Sequence, residues 1–451
     1  MSLVKIINAS EFGDYQKSLC IRAAHESDEA AVNTVVNEII AAVRAEGDAA
    51  VRRYASRFEK EAPENFEVPI DAAGEAWDKL NSAEPELAAA FELAAGHIKR
   101  FGELQKDQFK DFEVEIEPGL FTGQRVIPID RAAIYVPAGR FPLISSALMA
   151  LIPAAAAGVR EKILASPPRE GGLPDRRILA AAYIAGADRV FAIGGAQAIA
   201  ALALGTETIP RVDFIAGPGN KYVAAAKRLL FGEVGIDFVA GPTDVLIITD
   251  TGSEKTGLSA EPSDVIAEAA DLIAADMLAQ AEHDPDARPR ALVPDRETAE
   301  QIRLALEKRL ASLPTAETAR ASLEAGGLII IYDSKREAIR IANEIAPEHL
   351  ELHVSSPEEW TSDLKNYGSL FIGSAAAEVL GDYSAGINHT LPTSASARFT
   401  GGLSVRHFLK TVTSLRCAAG SGYTEALNAA EIIARAEGLA GHAESARKRK
   451  L

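Results

Sequence analysis

The chain carries eight histidines, and four of them sit where a neighbouring carboxylate or amide could join them in chemistry. Gln280-Ala-Glu-His283 ends a helical pattern that runs from Ser263 to His283 and is closed by Pro285. Asp276, Gln280 and His283, spaced four and then three residues apart, fall on one helix face. Val265, Ala269, Leu272 and Ile273 are expected to mark its packed side. Imidazole nitrogen and amide or carboxylate oxygen on adjacent turns can converge on a zinc ion, although an amide is a rare zinc ligand and the same residues suit a solvated helix end. Glu348-His349 follows the helix-ending Pro347, a constrained place for an acid/base pair that works near neutral pH. A surface Glu beside a partly buried His reads the same way. Asp382 in Gly381-Asp-Tyr383 and His389 in Asn388-His-Thr-Leu-Pro392 lie in a Gly-containing, Pro-ended loop, where sites are often carried. Asp after Gly is also an ordinary turn residue. Glu437 and His442 lie near the C-terminus and would otherwise face solvent on a terminal helix. Two imidazoles, one carboxylate and one amide would fill a zinc shell that can expand to admit substrate. Spacing alone does not say which of them meet in space.

The totals restrict what such a site could serve. At 451 residues the chain is too long for one core, so two or more domains are expected. A hydrophobic fraction of 47% with 25% charged residues is that of a soluble globular protein. The net charge of −17 argues against nucleic acid or an anionic membrane surface as partner. No apolar run reaches the ~18–20 residues of a membrane span; the best candidate, near Leu148 to Val159, is broken by Pro153. No basic segment followed by a long apolar core opens the chain, so the cytoplasm is the expected compartment. Two cysteines, Cys20 and Cys417, exclude a four-thiolate zinc site and argue against a structural disulfide. Each is expected to be a buried, inert thiol.

The elements that must position these residues follow from periodicity. Residues 1–30 read as a short N-terminal arm. Glu29 to Lys60 reads as one helix, Ala72 to Phe109 as a second helical region broken near Pro85, and Glu113 to Tyr135 as strands with a Gly turn. From Tyr135 strands alternate with helices up to Val239, and a second alternating block starts at Val245. The fold class is therefore α/β, with two similar Rossmann-like parallel-sheet domains and a cleft between them. The expected division is 31–134 with 242–403 as a first, discontinuous domain and 135–241 as a second. Residues 404–451 form a small helical C-terminal domain. Gly194-Gly195 and Gly217-Pro-Gly219 follow strands, where ligands of such sheets collect and a helix N-terminus can hold phosphate. No G-x-G-x-x-G is present there, so no dinucleotide fingerprint supports a cofactor.

Read together, these stretches resemble histidinol dehydrogenase over nearly the whole chain. The resemblance rests on Tyr135-Val-Pro, Gly194-Gly-Ala-Gln-Ala-Ile199, Gly217-Pro-Gly-Asn220, Gly235-Ile-Asp237 with Ala240-Gly-Pro242, and Gln280-Ala-Glu-His283. It continues through Ala346-Pro-Glu-His-Leu350, Gly381-Asp-Tyr383, Asn388-His-Thr-Leu-Pro-Thr393, and Glu437-Gly-Leu439 with His442. It implies a zinc enzyme that oxidises L-histidinol to L-histidine in two NAD-dependent steps through an aldehyde. By the same resemblance Gln280, His283, Asp382 and His442 bind zinc, one ion per subunit, and the ion also anchors the substrate. Glu348 and His349 are the acid/base pair. Thr243, His389 and Glu437 contact substrate, and Tyr135, Gln197 and Asn220 contact NAD. The resemblance also implies a homodimer in which the C-terminal domain reaches across, so that Glu437 and His442 complete the partner's site. The sequence departs from the pattern in Thr243 for Ser, in Ala138 for Gly, and in a longer polar segment, Thr251 to Pro262, expected to be a surface loop.

Two other readings remain open at this stage. A relative acting on another small polar alcohol, such as a sulfonated diol, is suggested by the loop Ala397-Arg-Phe-Thr-Gly-Gly-Leu403. A zinc-stabilised binding or assembly protein needs no acid/base pair, and Glu348-His349 speaks against it.

Overall fold

The computed structural model describes residues 3–16, 26–59, 61–138, 142–239, 241–250 and 262–450. Cys20, most of the expected Thr251 to Pro262 loop and Ala240 lie outside the described residues. Two six-stranded sheets dominate. In the first, the strands run in the order Lys5–Asn8, Leu328–Ile331, Arg288–Val293, Asp244–Thr249, His349–His353 and Ser369–Ile372, all parallel. Both faces are covered, and Asp244–Thr249 is buried at every position, as a central parallel strand should be. Val245 and Ile247 pack against the helix Pro262–Ala281, while Leu246 and Ile248 pack against Lys335–Ile345. In the second sheet the order is Glu67–Val68, Arg189–Ala192, Glu161–Ser166, Arg131–Tyr135, Phe214–Ala216 and Gly235–Ile236, with only the first pair antiparallel. This bears out the α/β class with parallel sheets.

The packing differs from the expected division. Lys5–Asn8 is an edge strand of the first sheet, because Ile7 alternates into its apolar core and the segment cannot stand free as an arm. Residues 31–134 do not share an apolar core with the first sheet, although His97 Nδ1 meets the Ser384 carbonyl at 2.7 Å. The apolar faces of the helices Glu26–Glu46, Asp48–Phe58, Ile70–Ala83 and Pro85–Lys106 cover the second sheet instead, on its two sides. The expected single helix Glu29 to Lys60 is two, divided at Gly47 with φ +54°, where an added Cβ would strike the Glu207 carboxylate. The C-terminal part holds more than helices. Leu409–Cys417 pairs antiparallel with Leu120–Pro128, which pairs with Phe112–Glu117, and two helices follow. Cys417 ends that strand exposed, contrary to the buried thiol expected.

The two sheets present opposite ends to the cleft. Tyr135, Gly194 and Gly217 follow the carboxyl ends of strands in the second sheet. Thr243, Glu348 and His349 stand at the amino ends of strands in the first, and Gln280 ends a helix that runs antiparallel to them.

One buried ion pair shapes the second sheet's rim. Lys227 contacts the Asp237 carboxylate, both side chains being almost fully buried, and Lys227 Nζ donates to the Gly217 carbonyl at 2.9 Å. Asp237 Oδ2 accepts the Gly217 N–H at 2.8 Å. Gly217 has φ +118°, and a Cβ there would collide with the Tyr135 carbonyl oxygen. Replacing one partner strands a buried charge. Lys227→Met is expected to lower unfolding free energy by about 3–5 kcal/mol, read by urea denaturation. A loss below ~1 kcal/mol would mean that the pair is dispensable.

Candidate functional site

The helix Pro262–Ala281 turns Ala270, Ile273, Ala274, Met277, Leu278 and Ala281 inward. The packed side is thus displaced from the one expected, and Leu272 is exposed, because an Ala-rich helix has weak contrast between its faces. Gln280 is fully buried in consequence. His283 lies just past the helix end, in a turn. The short helix Glu378–Tyr383 brings Glu378 and Asp382, one turn apart, against them. Ligand-type atoms of His283, Glu378 and Asp382 lie within 4.8 Å of one another, and Asp382 Oδ1 is buried without a hydrogen-bond partner.

Hydrogen bonding decides how Gln280 is turned. Thr243 Oγ1 donates its one proton to Glu348 Oε2 at 2.5 Å. It can therefore only accept from Gln280, whose amide nitrogen donates to it at 2.8 Å. The Gln280 oxygen is then left 3.0 and 3.1 Å from the two Glu378 carboxylate oxygens. Turning the amide over would ask Thr243 for a second proton. Acceptors placed face to face need a cation or a proton between them. With imidazole, carboxylate and amide oxygen converging, the residues fit a zinc ion.

Glu348 and His349 stand beside this cluster. Glu348 Oε2 also accepts the Asp244 N–H at 3.2 Å, and Asp244 Oδ1 accepts the Glu348 N–H at 3.1 Å. The other Glu348 oxygen lies 3.5 Å from His349 Nε2, and Glu378 lies 3.9 Å from His349 Nδ1. Burial lowers the basicity of His349, but the facing Glu378 and Glu348 carboxylates outweigh it and push the imidazole up to about 10. His389 is held by the Asp382 carbonyl at Nδ1 (3.0 Å) and approaches Ser146 at Nε2 (3.3 Å). It thus ties the metal-side helix to the helix Ile144–Ala157 over the second sheet. Burial pushes its imidazole down.

A cleft of about 910 Å³ opens from His283 along the second sheet, lined by Tyr135, Ala138, Gln197 and Asn220 among others. The expected cofactor contacts therefore share one cavity with His283, the exposed member of the cluster. The expected phosphate cradle does not stand free. Gly194 N–H donates to Glu59 Oε1 at 2.8 Å and Gly195 N–H to the Tyr135 hydroxyl at 3.1 Å. Burial pushes the Glu59 carboxyl up and the Tyr135 phenol up to about 12. Asn220 Oδ1 caps its helix by accepting from Tyr222 and Val223.

Gln280, His283, Asp382, His389, Thr243, Glu348 and His349 thus come together within one chain. Glu437 and His442 do not join them: both are exposed, at and beyond the end of a helix that packs on its neighbour and on Phe112–Glu117. Glu378, Glu59, Glu351 and His353 were missed in the sequence. Alternation in His349-Leu-Glu-Leu-His353 was the available signal for the last two, and i to i+4 spacing from Asp382 for Glu378.

The family model for histidinol dehydrogenase matches residues 22–450. A histidinol dehydrogenase from Thermus thermophilus is 46% identical over 92% of this chain and 93% of its own length. One from Pseudomonas aeruginosa is 41% identical over 99% and 98%. The crystal structure of histidinol dehydrogenase from Elizabethkingia anophelis superposes with a TM-score of 0.85 at 31% identity, covering 100% of this chain and 98% of that one.

Thr243 is the hinge of the hydrogen-bond chain, so Thr243→Val, nearly equal in shape, should weaken zinc binding by roughly 10–100-fold. Competition with a chromophoric chelator measures this; unchanged affinity would detach Thr243 from the metal centre.

Proposed function

The chain belongs to the histidinol dehydrogenase family of NAD-dependent oxidoreductases, and from that premise we propose how its own residues carry out the oxidation of L-histidinol to L-histidine. The reading rests on one observation above others. The Gln280 oxygen faces the Glu378 carboxylate beside His283 and Asp382, at the head of the cleft lined by Tyr135, Gln197 and Asn220.

Gln280, His283 and Asp382 would hold zinc, with Glu378 in the same cluster. Bound there, zinc would anchor the imidazole and amino nitrogens of the substrate. NAD+ accepts a hydride in each of the two steps. Tyr135, Gln197 and Asn220 orient that cofactor. Thr243 and His389 line the substrate side. His349 takes the hydroxyl proton as the alcohol becomes the aldehyde. Glu348 removes a proton from the water that adds to the aldehyde, and the resulting hydrate is oxidised to the acid. Neutralising the charge on Glu378 and Asp382 brings His349 down toward the range in which it can act as a base. The buried cluster is anionic, which favours a cationic amino alcohol and repels a sulfonated diol.

A homodimer completes the centre in this proposal, with Glu437 and His442 reaching the partner's site. Phe112, Val114, Ile116 and Leu415 leave an apolar surface exposed on the three-stranded sheet, and Ile432 and Ile433 expose another on the following helix. No helix among the described residues is long and apolar enough to cross a membrane, and we place the enzyme in the cytoplasm.

Purified protein with zinc, L-histidinol and NAD+ should yield two NADH per histidine formed. Glu348→Gln should retain zinc and the first oxidation while losing about 10²–10⁴-fold in the second, the size of a general-base contribution. Single-turnover NADH release separates the steps, and an unimpaired second step would remove Glu348 from the mechanism. Mixing His442→Ala subunits with Glu348→Gln subunits should restore one intact site in each mixed dimer, or about a quarter of full activity if assembly is random. No recovery, with exchange of subunits demonstrated by mass spectrometry, would place the whole site within one chain.

A further inference from the structure

The strand His349–His353 carries more polar groups than this reaction uses. Leu350 and Leu352 enter the apolar core on one side, so His349, Glu351 and His353 point to the other. Asp276, one turn before Gln280, meets them there from the helix Pro262–Ala281. His353 Nε2 lies 3.3 Å from Glu351 Oε2 and 4.0 Å from Asp276 Oδ2, and one ligand atom from each residue lies within 4.8 Å of the others. The Glu351 side chain is 0% exposed and that of His353 6%.

Each of the three residues leaves a buried atom without a hydrogen-bond partner: Asp276 Oδ2, Glu351 Oε2 and His353 Nε2. These are the atoms that face one another. The second Glu351 oxygen accepts the Glu378 N–H at 2.7 Å, so Glu351 cannot turn away. Among the described residues its only ion-pair partner is the His353 imidazole. Asp276, Glu348, Glu351, Glu378 and Asp382 crowd one region with the imidazoles of His349 and His353, while Arg290 is engaged by Asp244 and Arg309, which reaches the field of Asp276, by Asp271. One divalent ion at the catalytic centre offsets two of those carboxylates. A water molecule could meet the three orphan atoms but would leave the charge in place.

We propose that Asp276, Glu351 and His353 form a second divalent-cation site beside the catalytic centre. Two carboxylate oxygens and one imidazole nitrogen suit zinc or manganese, with an open position for water. The site is structural and takes no direct part in the reaction proposed above. Its ion holds Glu351, and Glu351 holds the N-terminus of the helix that carries Glu378 and Asp382.

Full-length protein stripped with chelator, reloaded with zinc or with manganese and freed of excess ion should contain two ions per chain by mass spectrometry. His353→Leu and Asp276→Asn should each hold one, and His283→Asn should also hold one. One ion per chain in the unaltered protein, unchanged in His353→Leu and Asp276→Asn, overturns the second site and leaves the cluster to water or a shared proton. Should those variants misfold, crystals of the unaltered protein soaked in zinc decide it by anomalous scattering at the zinc edge. A peak between Asp276, Glu351 and His353 is expected, and a peak beside His283 alone refutes it. A peak only at the second position would instead sink the catalytic zinc reading and leave this one standing.

Discussion

Thr243 has a single hydroxyl proton, and Glu348 takes it. From that follows the direction of the Gln280 amide and the facing of its oxygen to Glu378, in the cluster with His283 and Asp382. The same contact holds the Glu348 carboxylate in place next to His349. Thr keeps the hydroxyl that a Ser would bring, so the departure from the family pattern at this position costs the site nothing in hydrogen bonding.

The centre joins two sheets by unlike ends. In the second sheet, strands deliver Tyr135 and the Gly194 and Gly217 turns at their carboxyl ends, where α/β sheets commonly bind ligands. The first sheet supplies Thr243, Glu348 and His349 at its amino ends, with Gln280 from the end of a crossing helix. A cleft lined by Tyr135, Gln197 and Asn220 results, and His283 stands both on its wall and in the cluster with Glu378 and Asp382. His389 bridges Asp382 and Ser146.

Buried acidity sets the electrostatic character of this region. Carboxylates outnumber the cationic side chains around His349, and burial makes each of their charges expensive. Such a field favours cations over anions at this end of the cleft. On the opposite rim, beneath the Gly217 turn, Lys227 and Asp237 neutralise one another.

Local patterns in the chain were enough to specify the α/β class, the alternation of elements and most ligand-type residues, because periodicity and turn chemistry act over a few residues. Gln280 with His283, Glu348 with His349, and Asp382 were visible in that way. The resemblance of ordered motifs pointed to the reaction. What periodicity could not carry was partnership between distant segments. It could not assign the helices of 31–134 to the second sheet, because an amphipathic helix shows which face it buries and not what it buries that face against. It could not reveal that Lys5–Asn8 completes the first sheet, or that Glu59 closes the Gly194 turn. The convergence of Glu378 on Gln280, and of Asp276 on Glu351 and His353, joins residues that are a hundred or fewer positions apart in the chain yet belong to different elements. Only packing of the helix Pro262–Ala281 against the strand His349–His353 brings them within reach, and that packing is decided by the apolar cores on either side of the sheet.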